Sequence, residues 1–172
     1  MPPPVPSEKE TTGGEITMKL LATLLALAGA SMSIAPAAAQ DSSNAQVLAS
    51  VDAFLHGLNT KDPAAIAAVS ASGGTLVSHR TKDGRDAVRI RTFADDLSGI
   101  ASEKGQLREV YWDPSVLLQG NIAVVWAPYS FDYDGKRTHC GIDVFNLMKI
   151  DGAWKVTGIQ YTVEPDNCPK GR

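Results

Sequence analysis

GNIAVVWAPYSFDYDGKRTHCGIDVFNLMKIDGAWKVTGIQYTV, Gly120 to Val163, contains three runs rich in β-branched and aromatic residues. They are Asn121 to Tyr133, Lys136 to Ile150 and Ala153 to Val163, joined by Asp134-Gly135 and Asp151-Gly152. Asp-Gly between alternating apolar runs marks a two-residue hairpin, because both central positions of a type I′ turn need φ > 0. Three antiparallel strands are therefore expected, and the turns set their register. Counting outward from Tyr133/Lys136 and Ile150/Ala153 places Trp126 and Gln160 on either side of Asp143, Ser130 opposite His139, Phe145 opposite Gly158 and Leu147 opposite Val156. Side chains alternate with period two. One face then carries Trp126, His139, Asp143, Phe145, Leu147, Val156 and Gln160, apolar at one end and polar at the other, as the floor of a polar-tipped pocket would be. The second face carries Tyr129, Phe131, Ile142, Val144, Ile159 and Tyr161. Helices can cover only one side of a single curved sheet, so this second apolar face reads as a homodimer interface.

The chain has 172 residues, 44% of them hydrophobic and 20% charged, with a net charge of −3. One globular domain is expected, and no block of like charge suggests a nucleic-acid partner. Residues 1–40 stand apart from it. Met18-Lys19, the apolar run Leu20 to Ile34 and Ala37-Ala38-Ala39-Gln40 have the three parts of a secretory signal peptide. Met1 to Thr17, rich in proline and glutamate, suits neither a leader nor a fold, so translation is expected to start at Met18. Residues 41–172 form the domain, periplasmic or secreted, with no membrane segment once the signal is cleaved. In such an oxidising compartment Cys140 and Cys168 are expected to pair. The hairpin register puts Cys140 opposite Val163, and Glu164 to Asn167 could fold back to bridge the remaining residues; two unpaired thiols are the alternative.

Upstream, Asn44 to Asn59 is an amphipathic helix with Val47, Leu48, Val51, Phe54, Leu55 and Leu58 on one stripe, opened by a Ser43/Gln46 capping box. Asp62-Pro63 starts a shorter second helix, which Gly73-Gly74 would stop. Gly74 to Arg80 and a segment around Val88 and Ile90 read as a strand pair around Asp83-Gly84. Thr92 and Asp95 cap a third helix bearing Phe93, Leu97 and Ile100. Gln106 to Leu118 is a long strand, bent at Asp113-Pro114 because proline cannot donate to a ladder. The basic run Arg80, Lys82, Arg85, Arg89 and Arg91 beside His79 reads as a solvated hairpin, with attraction of an anionic ligand as the alternative. None of the three histidines lies in a ligand-spaced cluster, so no metal or other cofactor is expected.

This order, helix, helix, strand pair, helix and long antiparallel strands, resembles the nuclear transport factor 2-like superfamily over Ser43 to Val163. Val124-Val125-Trp126-Ala127-Pro128-Tyr129, His139-Cys140-Gly141-Ile142-Asp143 and Gly158-Ile159-Gln160-Tyr161-Thr162-Val163 look like segments of its secreted bacterial SnoaL-like and lumazine-binding-like members. The resemblance implies an α+β fold: a cone-shaped roll with a curved, mainly antiparallel sheet wrapped around three helices from the N-terminal half. The superfamily includes polyketide cyclases, ketosteroid isomerase, dehydratases and proteins that only bind, so the fold does not name a chemistry. Ketosteroid isomerase's catalytic tyrosine and aspartates find no residue-by-residue match here.

Three functions compete. The first is an exported protein binding a small hydrophobic or aromatic ligand against Trp126, Phe145, Gln160 and Tyr111. The second is an isomerase, cyclase or dehydratase with Asp143 as general base and His139 or Tyr111 as proton donor. The third is an interaction module using the outer sheet face.

Overall fold

The computed structural model describes residues 37–166 and Cys168; the expected signal sequence lies outside the described residues except for Ala37 to Gln40, which open the first helix. Asp134-Gly135 and Asp151-Gly152 both take left-handed backbone conformations, φ 50° and 73° in one turn and 50° and 81° in the other. They join β5 (Ile122–Tyr133), β6 (Lys136–Ile150) and β7 (Ala153–Val163). Asp83-Gly84 does the same between β1 (Ser70–Lys82) and β2 (Arg85–Thr92). The expected long strand is two, β3 (Leu107–Tyr111) and β4 (Ser115–Gln119), both paired with β5. Between them Asp113 takes φ 45°. Pro128, which cannot donate, falls where β3 hands over to β4, and its carbonyl accepts from Trp112 N–H instead. The sheet runs β2-β1-β7-β6-β5-β3, with β4 also on β5 and only β1–β7 parallel.

The helices are α1 (Ala37–Thr60), α2 (Pro63–Val69) and α3 (Phe93–Ser102). Since α1 begins at Ala37, Ser43 lies within it rather than capping it. Lys61, at φ 56°, ends α1 in a Schellman turn: its N–H donates to Leu58 O, and Asp62 N–H donates to Gly57 O. Asp62 Oδ1 accepts from Ala64 and Ala65 N–H, and Thr92 with Asp95 forms the capping box of α3. The core lies between α1 and the sheet, where Val47, Val51 and Phe54 meet Val125, Phe145, Leu147 and Val156. Phe54 packs edge-on to Phe145 at 6.1 Å and tilted to Phe93 at 5.7 Å.

Both hairpins depart from the counted register, and in the same way. Tyr133↔Lys136 and Asp132↔Arg137 pair as counted, but the next pair is Phe131↔His139, so β6 holds one extra residue, Thr138. Leu147↔Val156 also pairs as counted, followed by Asn146↔Gly158, with Thr157 the extra residue in β7. Each extra threonine donates its hydroxyl to the carbonyl opposite: Thr138 to Phe131 O at 3.2 Å and Thr157 to Asn146 O at 3.1 Å. The side chain thus supplies a hydrogen bond where the ladder is interrupted.

A one-residue slip reverses the faces. Asp143 therefore pairs with Ala127 and Tyr161, not with Trp126 and Gln160, and Phe145 pairs with Ile159, not Gly158. Trp126, Val144 and Gln160 form a neighbouring row on the outer face, and Ser130 stands opposite Cys140 rather than His139. The face assigned to a dimer interface is corrected accordingly. Tyr129, Phe131, Ile159 and Tyr161 share the inner side with Asp143, while Ile142 and Val144 stay outside beside Trp126.

The cysteines are bridged, Cys140–Cys168, with Cα atoms 5.4 Å apart. The tail does fold back: Cys140 and Glu164 exchange backbone hydrogen bonds of 3.1 and 2.9 Å. Among the described residues no helix is long and apolar enough to cross a membrane.

Candidate functional site

Inside the cone is a cavity of about 340 Å³, within the range of small-molecule sites. Its apolar wall comes from α1 (Phe54, Leu58), β1 (Leu76), α3 (Ile100) and β7 (Ile159). Phe131 and His139, cross-strand partners after the first bulge, form a stacked ledge with ring centroids 5.0 Å apart. Burial, and then the charge of Arg80, pushes the His139 imidazole down to about 4, so the ring is neutral at physiological pH. The hydroxyl of Thr138 lies 2.8 Å from its Nδ1.

Asp143 is the polar centre. It is 3% exposed, and its Oδ2 has no hydrogen-bond partner. Burial, then the nearby charge of Glu109, holds its carboxyl well above the usual range. Glu109 lines the same cavity from β3, paired with Phe131. Glu109 is half-buried, and its carboxyl is pushed up to about 8, first by burial and then by the charge of Asp96. Asn59 of α1 fixes the Glu109 backbone as a neighbouring strand would: its Nδ2 donates to Glu109 O at 2.9 Å, and its Oδ1 accepts from Glu109 N–H at 2.6 Å. β3 is a sheet edge, so one asparagine both satisfies that edge and sets where Glu109 stands.

Arg91, on β2, is the cavity's guanidinium. Its Nε lies 2.8 Å from Asp96 Oδ1, an ion pair without the alignment of a hydrogen bond, and its Nη2 donates to Tyr161 Oη at 2.9 Å. At the α3 end, Glu103 accepts from Tyr133 Oη and from the N–H groups of Lys104 and Gly105. Tyr129, buried beneath the ledge, donates to Thr162 O at 2.8 Å. Among the described residues no group of three or more His, Cys, Asp or Glu side chains is placed to hold a metal ion.

Of the residues expected at the site, the cavity brings together Asp143 and His139. Phe145 packs in the core instead, 1% exposed. Tyr111 donates its hydroxyl to Asp52 at 2.7 Å and points away from Asp143's cavity toward α1. Trp126 is 45% exposed on the outer face, with Gln160 in the same row. Glu109 and Asp96 carry no site expectation from the sequence, while Arg91 is expected in the basic hairpin and Tyr161 on the dimer face; all four line the cavity. Glu109 had one readable signal: strand alternation puts it on the same side as Leu107 and Tyr111, so a carboxylate was bound for an apolar face.

No protein-family profile matches the chain, and no curated protein matches its sequence. Solved structures do match. A Mycobacterium tuberculosis protein of unknown function superposes with a TM-score of 0.61 at 16% identity, covering 77% of this chain and 78% of that one. A proposed scytalone dehydratase from Novosphingobium aromaticivorans gives 0.59 at 14% identity, covering 80% and 99%. A nuclear transport factor 2-like protein of unknown function from Shewanella baltica gives 0.56 at 15% identity, covering 73% and 97%. At these identities the likeness is one of architecture, and it agrees with the three helices and the seven-stranded, mostly antiparallel sheet described above. The chain has the nuclear transport factor 2-like fold.

Proposed function

We propose that the protein binds a small hydrophobic or aromatic molecule in the cone, with Asp143 as the polar group that meets it. The supporting observation is the orphaned Oδ2 of Asp143. A buried oxygen without a partner costs about 1–3 kcal/mol, a cost with no structural return unless a ligand supplies the missing contact. The apolar run Leu20 to Ile34 and the Cys140–Cys168 bridge support a periplasmic or extracellular setting. The test is a screen of aromatic compounds by thermal shift on wild type, Asp143→Asn and a cavity-filling Leu76→Trp. Hits should shift the wild type, shift Asp143→Asn less, and leave Leu76→Trp unmoved; hits insensitive to Leu76→Trp would remove the cavity from the account.

A second reading is favoured by a separate observation: two carboxyls with raised pKa values, Asp143 and Glu109, share one apolar cavity. In an isomerase-, cyclase- or dehydratase-type reaction, one could accept a proton while the other donates. Asp143→Asn would then lower turnover of an identified substrate by orders of magnitude while leaving its binding in place.

The outer face supports a homodimer as the partner reading. A row from Ser115 through Trp126, Val144, Gln160 and Val77 to Ile90 crosses the sheet, apolar at four of its six positions. Such a row is self-complementary under a two-fold axis, so a second copy would cover it; an unrelated partner protein is the other occupant this face could take.

A further inference from the structure

The cavity's charges are unequal, and the inequality bears on what the bound molecule carries. Four carboxyls line it, Asp96, Glu103, Glu109 and Asp143, against one guanidinium. Arg91 is already engaged by Asp96 and Tyr161, and Glu103 by Tyr133 and two backbone N–H groups. Asp143 and Glu109 form no ion pair among the described residues, and Asp143 directs an unpartnered, buried Oδ2 into this space. An anionic ligand would add negative charge beside them. A neutral one would offer no counter-charge to either acid when it ionises.

We propose that the ligand is a cation: a protonated amine on an aromatic or aliphatic body, its ammonium group held between Asp143 and Glu109, one of them ionised as a carboxylate and the other, still protonated, accepting through its carbonyl oxygen. The rings lining the cavity suit the same charge. Phe54, Phe131, Tyr133 and Tyr161 line the same cavity, where a ring face attracts a desolvated ammonium, and neutral His139 adds no opposing charge. This identification rests on reading the cavity as a binding site.

The protons must balance. In the empty protein both acids are raised above the usual carboxyl range, Glu109 to about 8, which favours their protonated forms, so an entering R–NH3⁺ displaces one proton. The O–H bond of the acid breaks, the proton leaves to solvent, and an N–H⁺···O⁻ contact replaces it. The groups facing this event are Asp96 and Glu103 at the two ends of α3, Arg91 on β2, Arg80 on β1, His139 on β6, Tyr161 on β7, and Tyr129 and Tyr133 on β5. On α1, Asp52 is occupied by Tyr111. Of these only Arg80 and Arg91 are cationic near neutrality, and Arg91 is offset by Asp96.

The experiment is titration calorimetry on the full chain with two matched pairs, 2-phenylethylamine against 2-phenylethanol and tryptamine against tryptophol. It is run near pH 7 in phosphate and in Tris, whose ionisation enthalpies differ, and repeated from about pH 6 to 8. Each amine is expected to bind about tenfold or more tightly than its alcohol, on the scale of a charge-assisted hydrogen bond. It should release up to one proton per molecule bound, and bind more tightly as pH rises. Glu109→Gln and Asp143→Asn should each shrink both the preference and the proton release, with melting temperatures reported to show that the fold survives. Alcohols that bind as well as the amines, or amines that bind without proton release, would overturn the cation while leaving the cavity as a site, provided Leu76→Trp still blocks them. If none of the four compounds binds, the cation and the binding-site reading fall together.

Discussion

The two faces of the sheet have much the same composition and opposite fates. On the inner face Val125, Ala127, Tyr129 and Phe145 are at most 1% exposed, closed over by α1 and α3. On the outer face Ile90 is 70% exposed and Trp126 45%, with no helix of the described residues covering them. Hydrophobicity therefore does not say which side of a sheet holds the site. Enclosed charge does, because an acid is tolerated under helices only where something can answer it. The largest test of this contrast is Phe145→Ala. Phe145 meets Phe54 edge-on in the closed core, and its truncation should cost about 3–5 kcal/mol in urea unfolding. A loss under about 1 kcal/mol would mean that the inner face is not the packed one.

The disulfide tests the other side of the comparison. Cys140 precedes Gly141 on β6, and by alternation its side chain lies on the other face of the sheet from that of His139; its bridge to Cys168 pins the tail residue Glu164 against that strand. Closing a loop with a separation of 28 residues is worth about 2–4 kcal/mol through the unfolded chain, so Cys168→Ser should lower the urea midpoint correspondingly. Cavity binding should persist, since Cys168 does not line the cavity. Loss of ligand response in folded Cys168→Ser would show that the clasp also shapes the inner face.

A smaller effect, per unit of pH, comes from the acids themselves. Glu109 is raised to about 8 and Asp143 is raised well above its ordinary value, so the folded state holds protons that the unfolded state has already lost. That contribution is fully present below the ordinary carboxyl range and is lost as pH rises toward 8. His139 has the opposite sign: pushed down to about 4, it favours folding as pH rises toward its ordinary value near 6.5. The clean window lies between about pH 6.5 and 8, where Glu109 should make stability fall with pH by at most about 1.4 kcal/mol per unit, with Asp143 acting in the same direction. Melting temperatures across that window should decline in wild type and flatten in Glu109→Gln. A rise through the window would contradict the protonated pair.

Much of this was legible in the sequence and some was not, for local reasons. The Asp-Gly turns, the Thr92/Asp95 capping box, Asp62-Pro63 and the strand limits of β6 and β7 depend on chemistry within a few residues, and each appears where that chemistry puts it. The positions of Trp126 and Gln160 depend on Thr138 and Thr157, whose insertion as bulges follows from sheet coiling and from carbonyls on the neighbouring strand. Counting from a turn carries no such information, so it holds for the first pairs and then inverts. Asp143 keeps its side because it alternates in step with Phe145 and Leu147 on the same uninterrupted stretch of β6, and those two are buried in the core. Glu109 was overlooked because its strand was read as one bent element rather than as the edge that Asn59 clamps to α1.

The smallest expected effect is the sharpest check on the faces. Trp126 and Phe145 were counted onto one side of the sheet; the bulge at Thr138 separates them, leaving Trp126 in an outer row with Val144 and Gln160. An indole already 45% exposed loses little burial on truncation, so Trp126→Ala should change the stability of the folded monomer by less than about 1 kcal/mol. Its effect should appear instead in association. If a second copy covers the outer face, sedimentation at micromolar concentration should show a dimer for wild type and a shift toward monomer for Trp126→Ala, more complete for Val144→Asp, which places a charge at the centre of the row. Unfolding measured at low concentration separates the two contributions, since only the dimer's stability depends on concentration. Should Trp126→Ala destabilise the monomer as much as Phe145→Ala does, the threonine bulge would not be where the structure has it, and Asp143 would regain the indole as its neighbour.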